Sequence, residues 1–326
     1  MPDTPRMLER RIDDPIAWTA DTLLPNDGLV EIDAACLAEI RAVAAILRDN
    51  PLPVEALEPD DFEMPACRAL MGGVKHTLDD GVGFAILSSL PVDEFEEPVA
   101  KGIYWILLSM LGTTVAQKWD GLMLYDVTDT GKTSGAGKGV RGSKTNGGQS
   151  YHTDNSYNLP PNYVSLLCLQ TAMEGGISGL VSFYAAHNLL LEEHKDLLPR
   201  LYRPFYFERH REHAPNDCLY SEKPIFEYNG EGLGVSLSTG RVRDGYVVAG
   251  EQMDNETAAA IDTLDTVLED PRLGKSFAFE RGQIQIANNR KLGHRRTAFT
   301  DWPEPDRKRH LVRIWVRNHG RRFYGG

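Results

Sequence analysis

Apolar residues recur at helical spacing through 34–49 (AACLAEIRAVAAILRD), behind Asp33 as a candidate N-cap, and Asn50-Pro51 ends the pattern. A second helix is predicted near 62–79 and a third over 94–111 (EFEEPVAKGIYWILLSML). Between them GVGFAILSSL (81–90) is short, apolar and bounded by Gly81 and Pro91, the pattern of a buried strand. From residue 163 onward the runs shorten. They fall at 163–171, 179–184, 203–209, 224–228, 232–238, 275–280, 283–288 and 309–317, with helical stretches near 185–199 and 255–269. Many short strands with turn signals predict a mainly β chain with flanking helices, an antiparallel double sheet or jelly roll. The expected organisation is a single catalytic domain over 1–326, with a helical N-terminal region over 1–80 and the jelly-roll core over 81–320.

Composition narrows the function classes. The chain has 326 residues, 41% of them hydrophobic and 25% charged. Its longest apolar run falls far short of the ~18 residues that a spanning helix needs, so no membrane role is expected. Thirty-five Lys and Arg against 47 Asp and Glu give a net charge of −12. A field of that sign repels phosphate backbones, which argues against nucleic acid as a partner. The first residues, MPDTPRMLERRIDDPIAW, are charged where a secretory peptide needs an apolar core, so a cytoplasmic protein is expected. Cys36, Cys67, Cys168 and Cys218 show no ligand-like spacing and are read as buried free thiols.

The charge is uneven. From Arg281 onward twelve Lys and Arg face only Asp301, Glu304 and Asp306, a local excess of nine positive charges. The arginines alternate with apolar residues in Arg309-His310-Leu311-Val312-Arg313-Ile314-Trp315-Val316-Arg317. In a strand this puts Arg309, Leu311, Arg313, Trp315 and Arg317 on one face and His310, Val312, Ile314 and Val316 on the other. A guanidinium at the base of a pocket grips a carboxylate with two parallel bonds, which an ammonium cannot do. The glycine-rich stretch 128–150 has no Gly five places before either Gly-Lys pair, so it is no phosphate loop. A lid or a surface segment remains.

The sharpest local feature is Tyr151-His152-Thr153-Asp154. Residues i and i+2 of an extended segment project to one side, so His152 and Asp154 can offer a nitrogen and a carboxylate oxygen to one metal. The third candidate is His294, in NNRKLGHRRTAF (288–299). Two histidines and one carboxylate leave three open positions, the set non-haem Fe(II) uses for a chelating co-substrate and oxygen, whereas structural zinc closes a tetrahedron. His310 is the rival to His294. His76, His187, His194, His210, His213 and His319 lie in helical or charged contexts and are read as structural or surface.

Together these blocks resemble the taurine dioxygenase and 2,4-dichlorophenoxyacetate dioxygenase family of Fe(II)/2-oxoglutarate-dependent oxygenases, related to clavaminate synthase. The matching segments are His152-Thr153-Asp154, Gly175-Gly176-Ile177-Ser178, NNRKLGHRRTAFTDW (288–302) and RKRHLVRIW (307–315), in the family's order over roughly residues 81–320. The resemblance implies a double-stranded β-helix, with His152, Asp154 and His294 as iron ligands. It implies Arg309 on the distal carboxylate of 2-oxoglutarate and Ser178 on the same co-substrate. Arg313 would lie near the co-substrate or an anionic group of the substrate. Fe(II), 2-oxoglutarate and O2 would be the cofactors and co-substrates, succinate and CO2 the by-products. Hydroxylation of a C–H bond of a small polar, anionic metabolite is the first expectation, with desaturation and cyclisation as variants. Ile177 stands where many relatives place an acidic residue, and Gly293-His294-Arg295 replaces Leu-His-Ser or Leu-His-Gly. Asp154 argues against a halogenase, in which a small residue there makes room for halide.

Trp119, Tyr125, Asn146, Gln149, Tyr151, Asn289 and Arg313 are candidates for lining the substrate site, and the 128–150 loop for a lid over it. Two other readings stay open. One is a cupin-type dioxygenase or isomerase that uses no 2-oxoglutarate and has no need of Arg309; the other is a non-catalytic scaffold. The oligomeric state is open, a homo-oligomer being compatible.

Overall fold

The computed structural model describes residues 6–133 and 139–325. Two antiparallel sheets face one another. The larger runs in the order Leu29–Val30, Phe84–Leu87, Ile284–Asn288, Tyr163–Gln170, His310–Arg317 and Thr113–Val115, with Tyr125–Val127 also paired to His310–Arg317; only its first pair is parallel. The smaller runs Gly274–Phe277, Ser178–Ser182, Leu292–Arg296 and Gln149–His152. This is the jelly roll, the double-stranded β-helix of the sequence expectation. His310–Arg317 lies inside its sheet between Tyr163–Gln170 and shorter partners, so its arginines are not solvated edge residues.

Each face of the large sheet buries what alternation assigns to it. Val312, Ile314 and Val316 pack with Ile284, Ile286, Leu87 and the helices Ala34–Asp49, Pro65–Asp79 and Glu97–Ser109. Trp315, Val164 and Ala287 face Leu180, Val181 and Leu292 of the small sheet. The helix Ala34–Asp49 forms as expected, burying Cys36, Ile40, Val43, Ala44 and Leu47 in one stripe, and Asp33 caps it by accepting from the Cys36 backbone N–H at 2.8 Å.

Several expectations need correction. Cys36 and Cys67 are paired as a disulfide between the first two helices, with Cα atoms 4.9 Å apart, and Cys218 is exposed; only Cys168 is a buried free thiol. The helix expected near 185–199 is two, Phe183–Glu193 and Leu198–Leu201, because the chain leaves helical geometry at His194 and Pro199 opens the second. A helix at Thr239–Ala249 was missed, since two glycines and polar residues blur its pattern. Gly245 is required there: a Cβ would lie 2.2 Å from the Tyr206 carbonyl oxygen, so the helix seats directly on strand Phe205–Glu208. Within 128–150, the lid expectation falls in part on residues 134–138, which lie outside the described residues; at the flanks Thr130 donates to the Lys144 carbonyl (3.0 Å). No helix among the described residues is long and apolar enough to cross a membrane.

His187 sits in the core between the edges of Tyr202 and Phe226, fully buried, with Nε2 2.8 Å from the Tyr202 hydroxyl oxygen and Nδ1 without a partner. Burial pushes it down to about 4. The unfolded chain binds this proton near pH 6.5 and the folded one only near 4, so stability falls as pH drops through that window. The expected loss is about 3 kcal/mol at its lower end. Urea midpoints measured from pH 7 to pH 4 should show this slope, and His187→Gln should flatten it; an unchanged slope in the variant would exclude His187 as its source.

Candidate metal centre

Two strands and one loop bring the triad together. Gln149–His152 pairs with Leu292–Arg296 so that His152 and His294 are direct cross-strand partners, their rings 4.3 Å apart. Asp154 follows two residues after His152, and its Oδ1 lies 3.7 Å from Nε2 of each histidine. All three candidate ligand atoms lie within 4.8 Å of one another, Asp154 and His294 buried and His152 half-buried. The Gly293 departure has a local cause: a Cβ there would meet the Phe183 ring at 2.7 Å.

The charges around this cluster fit a cation. His152 Nδ1 is 2.9 Å from the Ser150 carbonyl oxygen, which can only accept, so Nδ1 carries the proton and Nε2 keeps its lone pair facing Asp154. Burial, then the neighbouring His294, pushes His152 down to about 4, so its ring is neutral at neutral pH. Burial alone would raise Asp154, but Arg313, with His294 and His152, more than offsets it and holds the carboxyl below the usual carboxylate range. Arg313 Nη1 stands 3.0 Å from Asp154 Oδ2, and Trp315 Nε1 donates to the same oxygen at 2.7 Å. The buried Nδ1 of His294 has no hydrogen-bond partner. A carboxylate oriented by two donors, beside two imidazoles of which one is fixed in tautomer, is a donor set that Fe(II) fits, with room for further ligands.

A cavity of about 140 Å³ opens from the triad. His152, Asp154, His294, Ser178, Arg309, Arg313 and Gln149 all line it, above an apolar floor of Val127, Leu166, Phe279 and Leu311. Arg309 is buried and its Nη1 has no partner. Burial pushes its guanidinium down to about 10. Gly176, at φ +66°, leaves the room Arg309 needs, since a Cβ would lie 3.2 Å from its Nε. The Ser178 hydroxyl donates to Gln285 Oε1 at 2.9 Å. Arg313 is spent largely on Asp154 and on Gln117, whose Oε1 accepts from Nε at 2.8 Å; only its Nη2 is free.

Most of the candidate substrate residues lie elsewhere. Trp119 is largely exposed and Asn146 is exposed. Tyr125 and Tyr151 are buried behind the wall, under Arg313 and Arg295 respectively. Asn289 is fully buried: its Oδ1 accepts from the Asp154 backbone N–H (2.8 Å), and its Nδ2 donates to the carbonyls of Asp154 (3.0 Å) and Pro161 (3.3 Å). It clasps the backbone of Asp154 and does not line the cavity. Asn289→Ala would leave three buried backbone groups unpaired, at about 1–3 kcal/mol each before relaxation. We expect a fall of at least about 2 kcal/mol in urea stability with Fe(II) binding weakened about 10–100-fold. Wild-type values in both measurements would refute this role.

One wall residue escaped the sequence reading. His210 is buried, lines the cavity, and has neither ring nitrogen hydrogen-bonded. It stands between the Glu208–Arg241 and Glu212–Arg141 ion pairs, and with Arg211 it holds a left-handed backbone (φ 55° and 57°). Such strain in a non-glycine pair marks functional segments, but no sequence periodicity announces it. His310 is excluded from the triad: its Nε2 bonds Asp126 Oδ1 at 2.8 Å, beside Lys101, whose ammonium joins Asp126 to Glu97.

The comparisons with known proteins agree with this geometry. Residues 53–315 match the Taurine catabolism dioxygenase TauD, TfdA family. The chain is 27% identical over 296 residues to FR-33289 synthase of Streptomyces rubellomurinus, covering 90% of this chain and 86% of that protein. It is 25% identical over 327 residues to a taurine hydroxylase-like protein of Stachybotrys chartarum, covering 94% and 80%. Among solved structures, asparagine oxygenase in complex with Fe(II), hydroxyasparagine and succinate shares the fold at a TM-score of 0.66, 18% identity and coverage of 89% and 94%. The non-heme iron oxygenase OrfP in complex with Fe and alpha-ketoglutaric acid does so at 0.62, 16% identity and the same coverage. The chain belongs to the TauD/TfdA family and is an Fe(II)- and 2-oxoglutarate-dependent dioxygenase.

Proposed function

We propose that His152, Asp154 and His294 hold Fe(II), that Arg309 receives the distal carboxylate of 2-oxoglutarate, and that the chain hydroxylates a C–H bond of a small, polar, anionic metabolite. The observation that carries the reading is the cavity itself, in which the triad and an unpaired buried guanidinium line one chamber. When bound, the metal with 2-oxoglutarate and O2 supplies an oxidant that takes hydrogen from the substrate, with release of succinate and CO2. The protein's own groups do the rest. Arg313 and Trp315 keep Asp154 ionised and aimed, Ser150 fixes the His152 tautomer, and the apolar floor of Leu166, Phe279 and Leu311 excludes water beside Arg309. Ser178 reaches the co-substrate only by turning its hydroxyl from Gln285.

The substrate class follows from charge. Arg141, Arg241 and Arg295 are each matched by a glutamate, whereas Arg296 and Arg309 have no ion pair among the described residues. With a metal dication against Asp154 and a co-substrate dianion, the chamber keeps a positive excess that suits an anionic substrate. The relatives include proteins named for amino-acid and uridine-5'-phosphate substrates, which supports a small polar molecule. His210, Arg141 and Arg241 form the outer wall on which it would rest. The chain would work as one catalytic unit, with 128–150 as a lid. Its need for Fe(II) and 2-oxoglutarate supports a cytoplasmic setting; the Cys36–Cys67 pair weighs the other way, disulfides being rare in reducing compartments.

The first experiment is anaerobic titration of Fe(II)-loaded protein with 2-oxoglutarate, watching the visible charge-transfer band of the chelated 2-oxo acid. Its appearance supports the reading and opens a substrate screen by succinate release. Metal binding without the band would favour a cupin-type enzyme, and no metal binding a scaffold.

A further inference from the structure

Arg296 stands two residues beyond His294 on strand Leu292–Arg296 and lines the same cavity. It is 6% exposed. The other buried or half-buried arginines of this wall have carboxylate partners: Arg141 with Glu212, Arg241 with Glu208, Arg295 with Glu269 and Arg313 with Asp154. Arg296 and Arg309 have none within ion-pair distance among the described residues. Asp301 Oδ1 is taken by the Arg309 backbone N–H, at 2.6 Å. Both guanidiniums lie over one ring, that of Phe299, with Cζ atoms 4.8 and 5.0 Å from its centroid. Two buried cations without an ion-pair partner about a shared ring repel one another, and each carries a desolvation cost. An anion between them removes both penalties.

Arg296 has a second attachment. Its Nη2 donates to the carbonyls of Thr145 (2.9 Å) and Gly147, while the Phe299 backbone N–H donates to the Asn146 carbonyl (3.1 Å). Residues 145–147 are thus clasped to the strand that carries His294, just ahead of Gln149 and His152. The Nε of Arg296 is buried and without a partner.

We propose that Arg296 is a positioning residue for the co-substrate. Its charge adds to that of Arg309 in holding the distal carboxylate of 2-oxoglutarate, and its grip on 145–147 makes co-substrate binding tighten that segment over the cavity. This rests on the iron and 2-oxoglutarate reading above.

The test uses two probes on the Fe(II)-loaded protein without oxygen: 2-oxoglutarate, and pyruvate, a 2-oxo acid with no distal carboxylate. Hydrogen exchange of 139–148 is followed with and without 2-oxoglutarate. Arg296→Gln should weaken 2-oxoglutarate about 10–100-fold, leave pyruvate within about twofold, and abolish the protection that 2-oxoglutarate gives 145–147. Arg296→Lys keeps the charge without the fork, so it should recover part of the affinity and none of the protection. Unchanged 2-oxoglutarate affinity and protection in Arg296→Gln overturns the proposal. Equal losses for both probes also overturn it, since the residue would then act on the metal or the fold. No band in the wild-type protein would instead sink the reading on which it rests.

Discussion

Replacing His294 by alanine is expected to abolish the Fe(II)–2-oxoglutarate band while leaving the fold intact. His294 offers one of the three candidate ligand atoms of the proposed site, and His152, its cross-strand partner, cannot move to replace it without breaking the register. Asp154 is held by Arg313 and Trp315 and by the Asn289 clasp on its backbone, so it stays where it is. Two ligands would remain, and the loss in metal affinity should exceed the roughly 10–100-fold typical of residues that only support a ligand. Stability should change little, because the lost ring leaves an opening into an existing cavity and not a closed void. Thermal unfolding and circular dichroism establish the fold; anaerobic titration establishes the loss. A band retained in His294→Ala would move attention to Glu97, Asp126 and His310, the other cluster of potential ligands among the described residues, with His310→Ala as the next variant.

How far the sequence reaches depends on how local the physics is. The cap and apolar stripe of Ala34–Asp49 are set within one helix, and its bounds were readable. Alternation along 309–317 is a property of one strand, and it sorted the arginines from Val312, Ile314 and Val316 correctly. Contacts between distant segments were not readable. Arg313 meets Gln117 and Asp154 across 196 and 159 residues, so its contact with the Asp154 carboxylate could not be read from the strand that carries it. Asn289, 135 residues from Asp154, looked like a wall residue for the same reason. The strand Leu292–Arg296 lacks apolar alternation because its Arg and His side chains face a polar cavity, and the Cys36–Cys67 pair carries no spacing signature. His210 was hidden by a backbone conformation that periodicity does not encode.

Arg309→Ala is expected to separate the co-substrate from the metal. Its guanidinium has no carboxylate partner, its Nη1 is buried and unpartnered, and Gly176 is kept small at φ +66° to admit it. Removing it takes away the proposed two-pronged contact with the distal carboxylate while the triad keeps every one of its own bonds. Truncating one side of a buried charge pair costs about 2–5 kcal/mol, which is about 30-fold to several thousand-fold in 2-oxoglutarate affinity. Iron affinity should be unaltered, and pyruvate, which has nothing for Arg309 to hold, should bind the variant as it binds the wild-type protein. The stability of the variant should match or exceed that of the wild type, because a desolvated and unpaired cation has been removed. Arg309→Lys should recover only part of the affinity, since an ammonium offers charge without the fork. Undiminished 2-oxoglutarate binding and turnover in Arg309→Ala would separate this guanidinium from the co-substrate and favour a metal enzyme that uses the same jelly roll without a 2-oxo acid.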